Sequence, residues 1–316
     1  MPIDTGNTQV SLSSEDQWRW GDVKETDITP SWVGGDGIFT EGVDANDDPV
    51  LRRVFTKESR PYASPFNVIA AMMKAAGEIS VAPEVVTVAD ETIVMRRMPE
   101  HWRNAKLDEL RDPYILWAVL EQHRRVHEIT VDKVLSMSHR SILDDVSSMR
   151  DRCVASSVPL PHGIDHILKD LEPFIARVDG LREPCVPCHG DGAASNVLID
   201  TQTEQDAPNA PLLTGWTVSG VMDPLEEAGS VLSEVGQFCG NQSSLVTGLG
   251  LDAECLRPAQ AFSIINDVYW SLIGLWRSAT SENAAVDFAK YGLWRLVKAR
   301  NQLCTPIGPG KWLKEL

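Results

Sequence analysis

Between Trp32 and Met95 the apolar positions fall in short runs broken by polar turn segments. Gly37-Ile38-Phe39-Thr40, the segment Asp44-Ala45-Asn46-Asp47-Asp48-Pro49 and the run Val50 to Phe55 predict a hairpin, because turn-forming residues separate two strand-like stretches. Ser64-Pro65 opens a helix through Gly77, with Val68, Met72 and Ala75 spaced onto one face. Glu84 to Val88 and Thr92 to Met95, joined at Ala89-Asp90, predict a second hairpin. Beyond Pro99 the spacing lengthens to that of helices, over Ile115 to Val126 and Ile142 to Met149. Leu116, Val119, Leu120, His123 and His127 recur at three- and four-residue steps, which puts both histidines on or beside a core-facing stripe in structural roles. Phe262, Ile265, Tyr269, Leu272, Ile273 and Trp276 form a further stripe, and Phe288, Tyr291, Trp294 and Val297 another, both expected in the core. Asp200 to Pro211 reads as a surface loop, and the chain has no internal repeats. A strand-dense first third and a helix-dense remainder predict an α+β chain. Residues 1–30 form a polar lead-in anchored by Trp18 and Trp20, 31–98 a small antiparallel-sheet lobe, and 99–316 a mainly helical lobe.

At 316 residues the chain is long enough for substantial cores. Its formal charge of −16 argues against a nucleic-acid partner, whose phosphates need a basic surface. The same charge suits a neutral or cationic small molecule, or simply solubility. Met1 to Asn7 is neither basic nor apolar and no stretch reaches the roughly 18 apolar residues of a membrane span, so a cytoplasmic protein without membrane attachment is expected. Six cysteines are too sparse for a disulfide scaffold and are expected to be reduced thiols. Cys185-Val186-Pro187-Cys188-His189 formally matches a c-type haem attachment pattern. Without an export signal, a second Cys pair or a close His pair, buried or incidental thiols are the better reading.

The chemistry concentrates in His189-Gly190-Asp191-Gly192-Ala193-Ala194-Ser195-Asn196, followed by Val197-Leu198-Ile199. An aspartate five residues ahead of an asparagine, on a small-residue loop entering a strand, can aim a carboxylate at a substrate hydroxyl. The amide oxygen can then reach a metal on phosphates. These residues resemble the catalytic loop of the aminoglycoside phosphotransferase and choline kinase-like family, a branch of the protein-kinase-like fold: His-Gly-Asp, four residues, then Asn. Leu213 to Leu225 resembles that family's metal-binding strand and turn, in a register fixed by Trp216, Gly220, Asp223 and Pro224.

The resemblance implies a two-lobed kinase-like fold, ATP and Mg²⁺ as cofactors, and transfer of the γ-phosphate to a hydroxyl of a small-molecule substrate, such as a cationic or amino-bearing metabolite or antibiotic. It implies that Asp191 and His189 serve catalysis, Asp191 by orienting or accepting the hydroxyl proton and His189 as a scaffold bonding the loop backbone. Asn196 and Asp223 occupy metal-site positions, Asp223 in a loop-supporting role. Arg52 is the residue that meets the nucleotide phosphates; Arg53 points to the other face of the strand, so one of the two faces the cleft. Met95 to Pro99 is the hinge, with Met95 toward the adenine. Gly34-Gly35-Asp36-Gly37 is either a loop over phosphates or an ordinary turn. Glu226 and Glu227 open a helix and are read as balancing its dipole rather than meeting a cationic substrate.

Two departures separate the chain from the family. Gly215 stands where the metal-binding aspartate belongs, and the helix positions around Asn67, Val68 and Ile69 carry no carboxylate to hold the lobe's basic residue. An alternative therefore stands beside phosphotransfer: a kinase-fold protein turned to a lyase or hydrolase reaction, or to non-catalytic binding.

Overall fold

The computed structural model describes residues 18–23, 37–130, 139–178, 184–202, 209–283 and 286–304. Most of the lead-in and the glycine loop at 34–36 lie outside them. The first lobe runs β1 (Arg19–Val23), β2 (Gly37–Val43), β3 (Pro49–Phe55), α1 (Phe66–Glu78), β4 (Val85–Ala89) and β5 (Thr92–Arg96). Its strands form one antiparallel five-stranded sheet in the order β1-β2-β3-β5-β4. Both hairpins read from the sequence are present. The second turns at Asp90-Glu91, one residue later than read, with φ of 44° and 60°. Two positive φ values in a two-residue turn match the twist of the flanking strands, even without glycine. β1 is a strand where a lead-in was expected. Its partner is β2, and Trp18 stacks on Trp20 with ring centroids 5.7 Å apart.

The two-residue period of β3, which puts Leu51, Arg53 and Phe55 on one face, and a three/four repeat in α1 bring one sheet face and one helix face together. Val68, Ile69, Met72, Met73 and Ala76 bury against Phe55, Ile93 and Met95. That core is shared with the second lobe, through Leu120, Trp216 and Val231.

The second lobe contains β6 (Trp102–Asn104), α2 (Pro113–His127), α3 (Ile142–Ala155), α4 (Ile164–Val178), β7 (Val186–Cys188), β8 (Val197–Asp200), β9 (Leu212–Leu213), β10 (Gly220–Met222), α5 (Pro224–Val235), α6 (Gln242–Gly248), α7 (Leu256–Thr280) and α8 (Phe288–Cys304). Asp112 starts α2 by accepting the Tyr114 N–H at 2.8 Å, with Pro113 in the first turn, where its missing N–H costs nothing. The central α7 is buried along most of its 25 residues and packs on α3, α5 and α8. Gly274 of α7 and Gly292 of α8 let those two backbones meet: a Cβ on Gly274 would lie 2.9 Å from Gly292 Cα.

One expected stripe fails. Phe288 is buried, but Trp294 is 64% and Val297 48% exposed, and α8 instead buries Gly292, Arg295, Leu296 and Ala299.

The segment between β3 and α1 is fastened to the second lobe. Arg277 donates to Glu58 Oε2 at 2.5 Å and to the Tyr62 hydroxyl at 3.1 Å, and Ser281 Oγ donates to Glu58 at 2.6 Å. Arg140 donates to Ser64 Oγ at 2.8 Å and to the Tyr62 carbonyl at 3.1 Å. Among the described residues no helix is long and apolar enough to cross a membrane.

Candidate active site

Two antiparallel strand pairs set two loops side by side. β7 pairs with β10 and β8 with β9, so the His189–Asn196 loop and the Thr214–Ser219 loop run next to each other. The Thr214 N–H donates to Asn196 O at 2.7 Å and the Ser64 N–H to Thr217 O at 2.9 Å. Gly190 has φ +80°, and a Cβ there would stand 2.8 Å from Val218 O, so both conformation and space require glycine. Gly192 lies against α5, where a Cβ would come within 2.6 Å of Val231 Cα.

α5 holds this loop by a ladder of acceptors. Glu227 Oε1 takes the Gly190 N–H at 2.9 Å, Ser230 Oγ the Gly192 N–H at 2.7 Å, and Glu234 Oε1 the Ala194 N–H at 3.3 Å. The other Glu234 oxygen is 3.6 Å from Arg295 of α8, which also binds Asp267 at 2.9 Å. Glu227 is fully buried, with Oε1 3.2 Å from His123 Nδ1 and Oε2 paired to His127 Nε2. Burial alone would raise its carboxyl, but His123 and His127 together hold it well below the usual range. Glu226 is buried too and accepts the Ile142 N–H at 2.8 Å.

The expected dipole-balancing role of these two glutamates is thus corrected. Asp223 caps the helix, accepting the Leu225 N–H at 2.9 Å, while Glu226 and Glu227 turn inward as anchors. Sequence reasoning missed Glu227, Ser230 and Glu234 as supports. Their steps of three and four along one helix were the available signal.

His189 is fully buried, with Nδ1 2.9 Å from Asp191 O, Nε2 2.6 Å from Thr214 O, and its ring edge-on to Trp216 at 4.7 Å. Burial, with His123 adding to it, pushes the ring down to about 4. The neutral imidazole carries one N–H and serves one carbonyl at a time, which makes it a scaffold between the two loops. Its ring is not presented as a haem ligand, and Cys185 is exposed while Cys188 is buried, so the haem pattern is coincidental. His127, Cys188 and Glu227 hold their ligand atoms within 4.8 Å of one another. Burial, reinforced by Glu227, Glu226 and Asp223, raises the Cys188 thiol well above its ordinary value, and Glu227 is committed to the two histidines.

Asp191 is half-buried at the loop's crest, its Oδ1 accepting the Ala193 N–H at 3.1 Å. Asn196, also half-buried, lies over Gly215. Gly215 has φ +71°, and a Cβ added there would overlap the Asn196 carboxamide, with Nδ2 at 2.8 Å. The asparagine thus fills the space that an aspartate at this position would use.

The residues present do not fit the Mg²⁺ site that the resemblance implies. Mg²⁺ favours near-octahedral oxygen ligation including carboxylate. Asn196 offers one carboxamide oxygen, Gly215 offers no side chain, and Asp223 is 1% exposed and engaged as the α5 cap.

Arg52 and Arg53 exchange the places assigned to them. Arg52 points to the outer sheet face, donates to Thr40 Oγ1 at 3.2 Å and stacks 4.6 Å over Trp20. Arg53 takes the inner face with Phe55. Its Nη2 donates to Thr217 Oγ1 at 2.7 Å, and its guanidinium stacks 4.1 Å from the Phe55 ring. The period-two pattern separates the two arginines but does not say which face is covered by the second lobe. Met95 lies inside β5, in register with Leu51 and Val85, and its side chain is in the core. The chain leaves the sheet only beyond Arg96, so the exposed hinge backbone starts later than Met95.

No protein-family model matches the chain, and no curated protein matches it in sequence. Its fold matches solved structures over 89–95% of its length. A choline/ethanolamine kinase family protein from Mesorhizobium loti is similar at TM-score 0.71 and 20% identity, covering 93% of this chain and 92% of that one. Choline kinase LicA from Streptococcus pneumoniae gives 0.66 and 12% over 94% of each chain. Wild-type aminoglycoside 2'-phosphotransferase-IIIa, in its GDP complex, gives 0.60 and 15%, covering 90% of this chain and 94% of that one. The chain therefore has the two-lobed protein-kinase-like fold, with an antiparallel-sheet first lobe and a mainly helical second lobe.

Proposed function

We propose that this protein is a small-molecule phosphotransferase that moves the γ-phosphoryl group of ATP to a substrate hydroxyl. Residues 31–98 would be the nucleotide-side lobe and 99–316 the lobe carrying the catalytic loop. The observation that carries this reading is Asp191 on a loop fixed at alternate residues by Glu227, Ser230 and Glu234. A carboxylate so held can orient an acceptor hydroxyl and take its proton as the new O–P bond forms and the β–γ bridging bond breaks. His189 keeps that loop aligned with its neighbour. A nucleotide donor is further supported by fold relatives whose structures contain AMP or GDP. The net charge of −16 supports a cationic or amino-bearing acceptor, and the free cysteines agree with work in the cytoplasm.

The test is ADP formation by the purified chain from ATP with a panel of amino alcohols and aminoglycosides, beside Asp191→Ala. Acceptor-dependent ADP release that Asp191→Ala abolishes is expected; no transfer to any acceptor would remove the reading. The Gly215–Asn196 geometry favours a second reading, in which the same cleft binds ligand or performs elimination or hydrolysis without a metal-bound triphosphate.

A further inference from the structure

We propose that the cavity behind the catalytic loop is a binding site for an ammonium group, either the free ion or the end of a primary amine, with Glu226 and Asn266 as its ligands. The cavity, of about 20 Å³, is bounded by Gly190 of the loop, Arg140 and Asp145 at the start of α3, Glu226 of α5, and Asn266 and Tyr269 of α7. One water-sized group needs roughly 10–15 Å³, so the space admits a single –NH₃⁺ and not a quaternary amine. Asn266 is the observation that points to a ligand. Its side chain lines the cavity and is 3% exposed, and among the described residues nothing hydrogen-bonds its carboxamide. A buried amide without a partner costs free energy that an occupant of the cavity recovers.

Charge selects the occupant. Arg140 directs its donors to protein groups: Nε to Asp145 at 2.6 Å, Nη1 to Ser64, and Nη2 to the Tyr62 carbonyl and the Tyr269 hydroxyl. Glu226, 4% exposed, accepts from two neutral donors, the Ile142 N–H at 2.8 Å and the Ser141 hydroxyl at 3.4 Å. Burial raises the Asp145 carboxyl above its ordinary value, with Arg140 opposing. Two carboxylates against one guanidinium leave a single negative charge at the cavity. Water would satisfy the amide but not that charge, and a divalent ion would overshoot it beside Arg140. An ammonium group brings one positive charge and N–H donors for the Glu226 carboxylate and the Asn266 carbonyl. The Tyr269 oxygen can accept as well, since its own proton goes to the Tyr62 carbonyl at 3.1 Å.

Thermal melts of the full chain in ammonium, methylammonium, potassium, sodium and tetramethylammonium chloride test this. At equal ionic strength, screening of the net charge of −16 is common to all. Ammonium and methylammonium are expected to raise the Tm above its value in sodium, by about 2 °C at ten times the dissociation constant. Tetramethylammonium, which has no N–H and does not fit, should match sodium. Asn266→Leu should remove the ammonium increment, and Asn266→Asp, which adds a charge, should enlarge it. Melts in sodium chloride show which variants fold, and either one suffices. An increment that grows from methylammonium to propylammonium would identify the end of a larger amine, and one that is greatest for ammonium would identify the free ion; both uphold the site. Equal melting in all five salts, or an increment that Asn266→Leu leaves intact, would overturn it in favour of bound water. Potassium as effective as ammonium would overturn the assignment to an N–H donor. The outcome is independent of phosphotransfer, which ADP release reads separately.

Discussion

Replacing Glu227 by glutamine keeps the shape of the side chain and an oxygen for the Gly190 N–H, but removes the negative charge facing His123 and His127. The carboxylate is fully buried, so water does not replace what is lost. Losing a buried charged acceptor costs about 1.5–3 kcal/mol. With an unfolding entropy of about 2.1 cal/mol/K per residue, a chain of 316 residues should lose roughly 2–5 °C in Tm. Scanning calorimetry at two pH values measures it. Because the folded carboxyl lies well below its unfolded value near 4.5, the unfolded chain takes up that proton first. The Glu227 contribution is then complete above about pH 4.5 and is lost as pH falls through the folded value. Wild type should lose more stability than Glu227→Gln on acidification, so the gap between them should narrow below pH 4.5. Adding His127→Ala to Glu227→Gln should cost less than the two changes separately, since the partners couple. A variant melting with wild type at neutral pH would refute the anchoring role.

Asp191→Ala should abolish turnover while costing about 1 kcal/mol of stability, the hydrogen bond its carboxylate accepts from Ala193; retained activity by the ADP-release assay would show the loop to be a relic. Gly215→Asp should destabilise by about 1–2 kcal/mol through its left-handed φ and the displaced Asn196 amide. It should also create a carboxylate ligand, so added Mg²⁺ should raise the Tm of the variant and leave wild type unmoved; identical responses would place the metal position elsewhere. Thiol labelling under native conditions should modify exposed Cys185 and Cys304 quickly and buried Cys188 slowly, because burial keeps the Cys188 thiol protonated. Rapid modification of Cys188 would contradict the packing beneath the loop.

The features legible in the sequence are those whose cause is local. Turn residues between alternating runs placed the hairpins, Pro65 and a three/four repeat placed α1, and the contiguous spacing from His189 to Asn196 placed the catalytic loop. What was missed depends on distant neighbours. β1 exists because β2 offers it an edge. α5's inward glutamates are defined by loop N–H groups tens of residues upstream. The expected stripe on α8 ran only in steps of three, and each step falls about 60° short of a full turn, so four residues wind from core to solvent. Arg53 was set aside for Arg52 because alternation gives two faces and only tertiary packing chooses between them.

The fastening of Glu58, Tyr62 and Ser64 to α7 and Arg140 bears on how the molecule comes apart. Lobes joined only by a hinge strand can melt one after the other, but here the first lobe's core includes Leu120 and Val231 of the second, and Arg277 reaches across to Glu58. The first lobe does not keep its interior without the second, whereas the second has a further cluster of its own around α7, joined among the described residues to the first lobe's segment only through Tyr62. Cleavage near the hinge would release no autonomous first lobe. Strain introduced at Gly215 would register as a loss of global stability, because the loop bearing it is bonded to the same segment through Ser64 and Thr217.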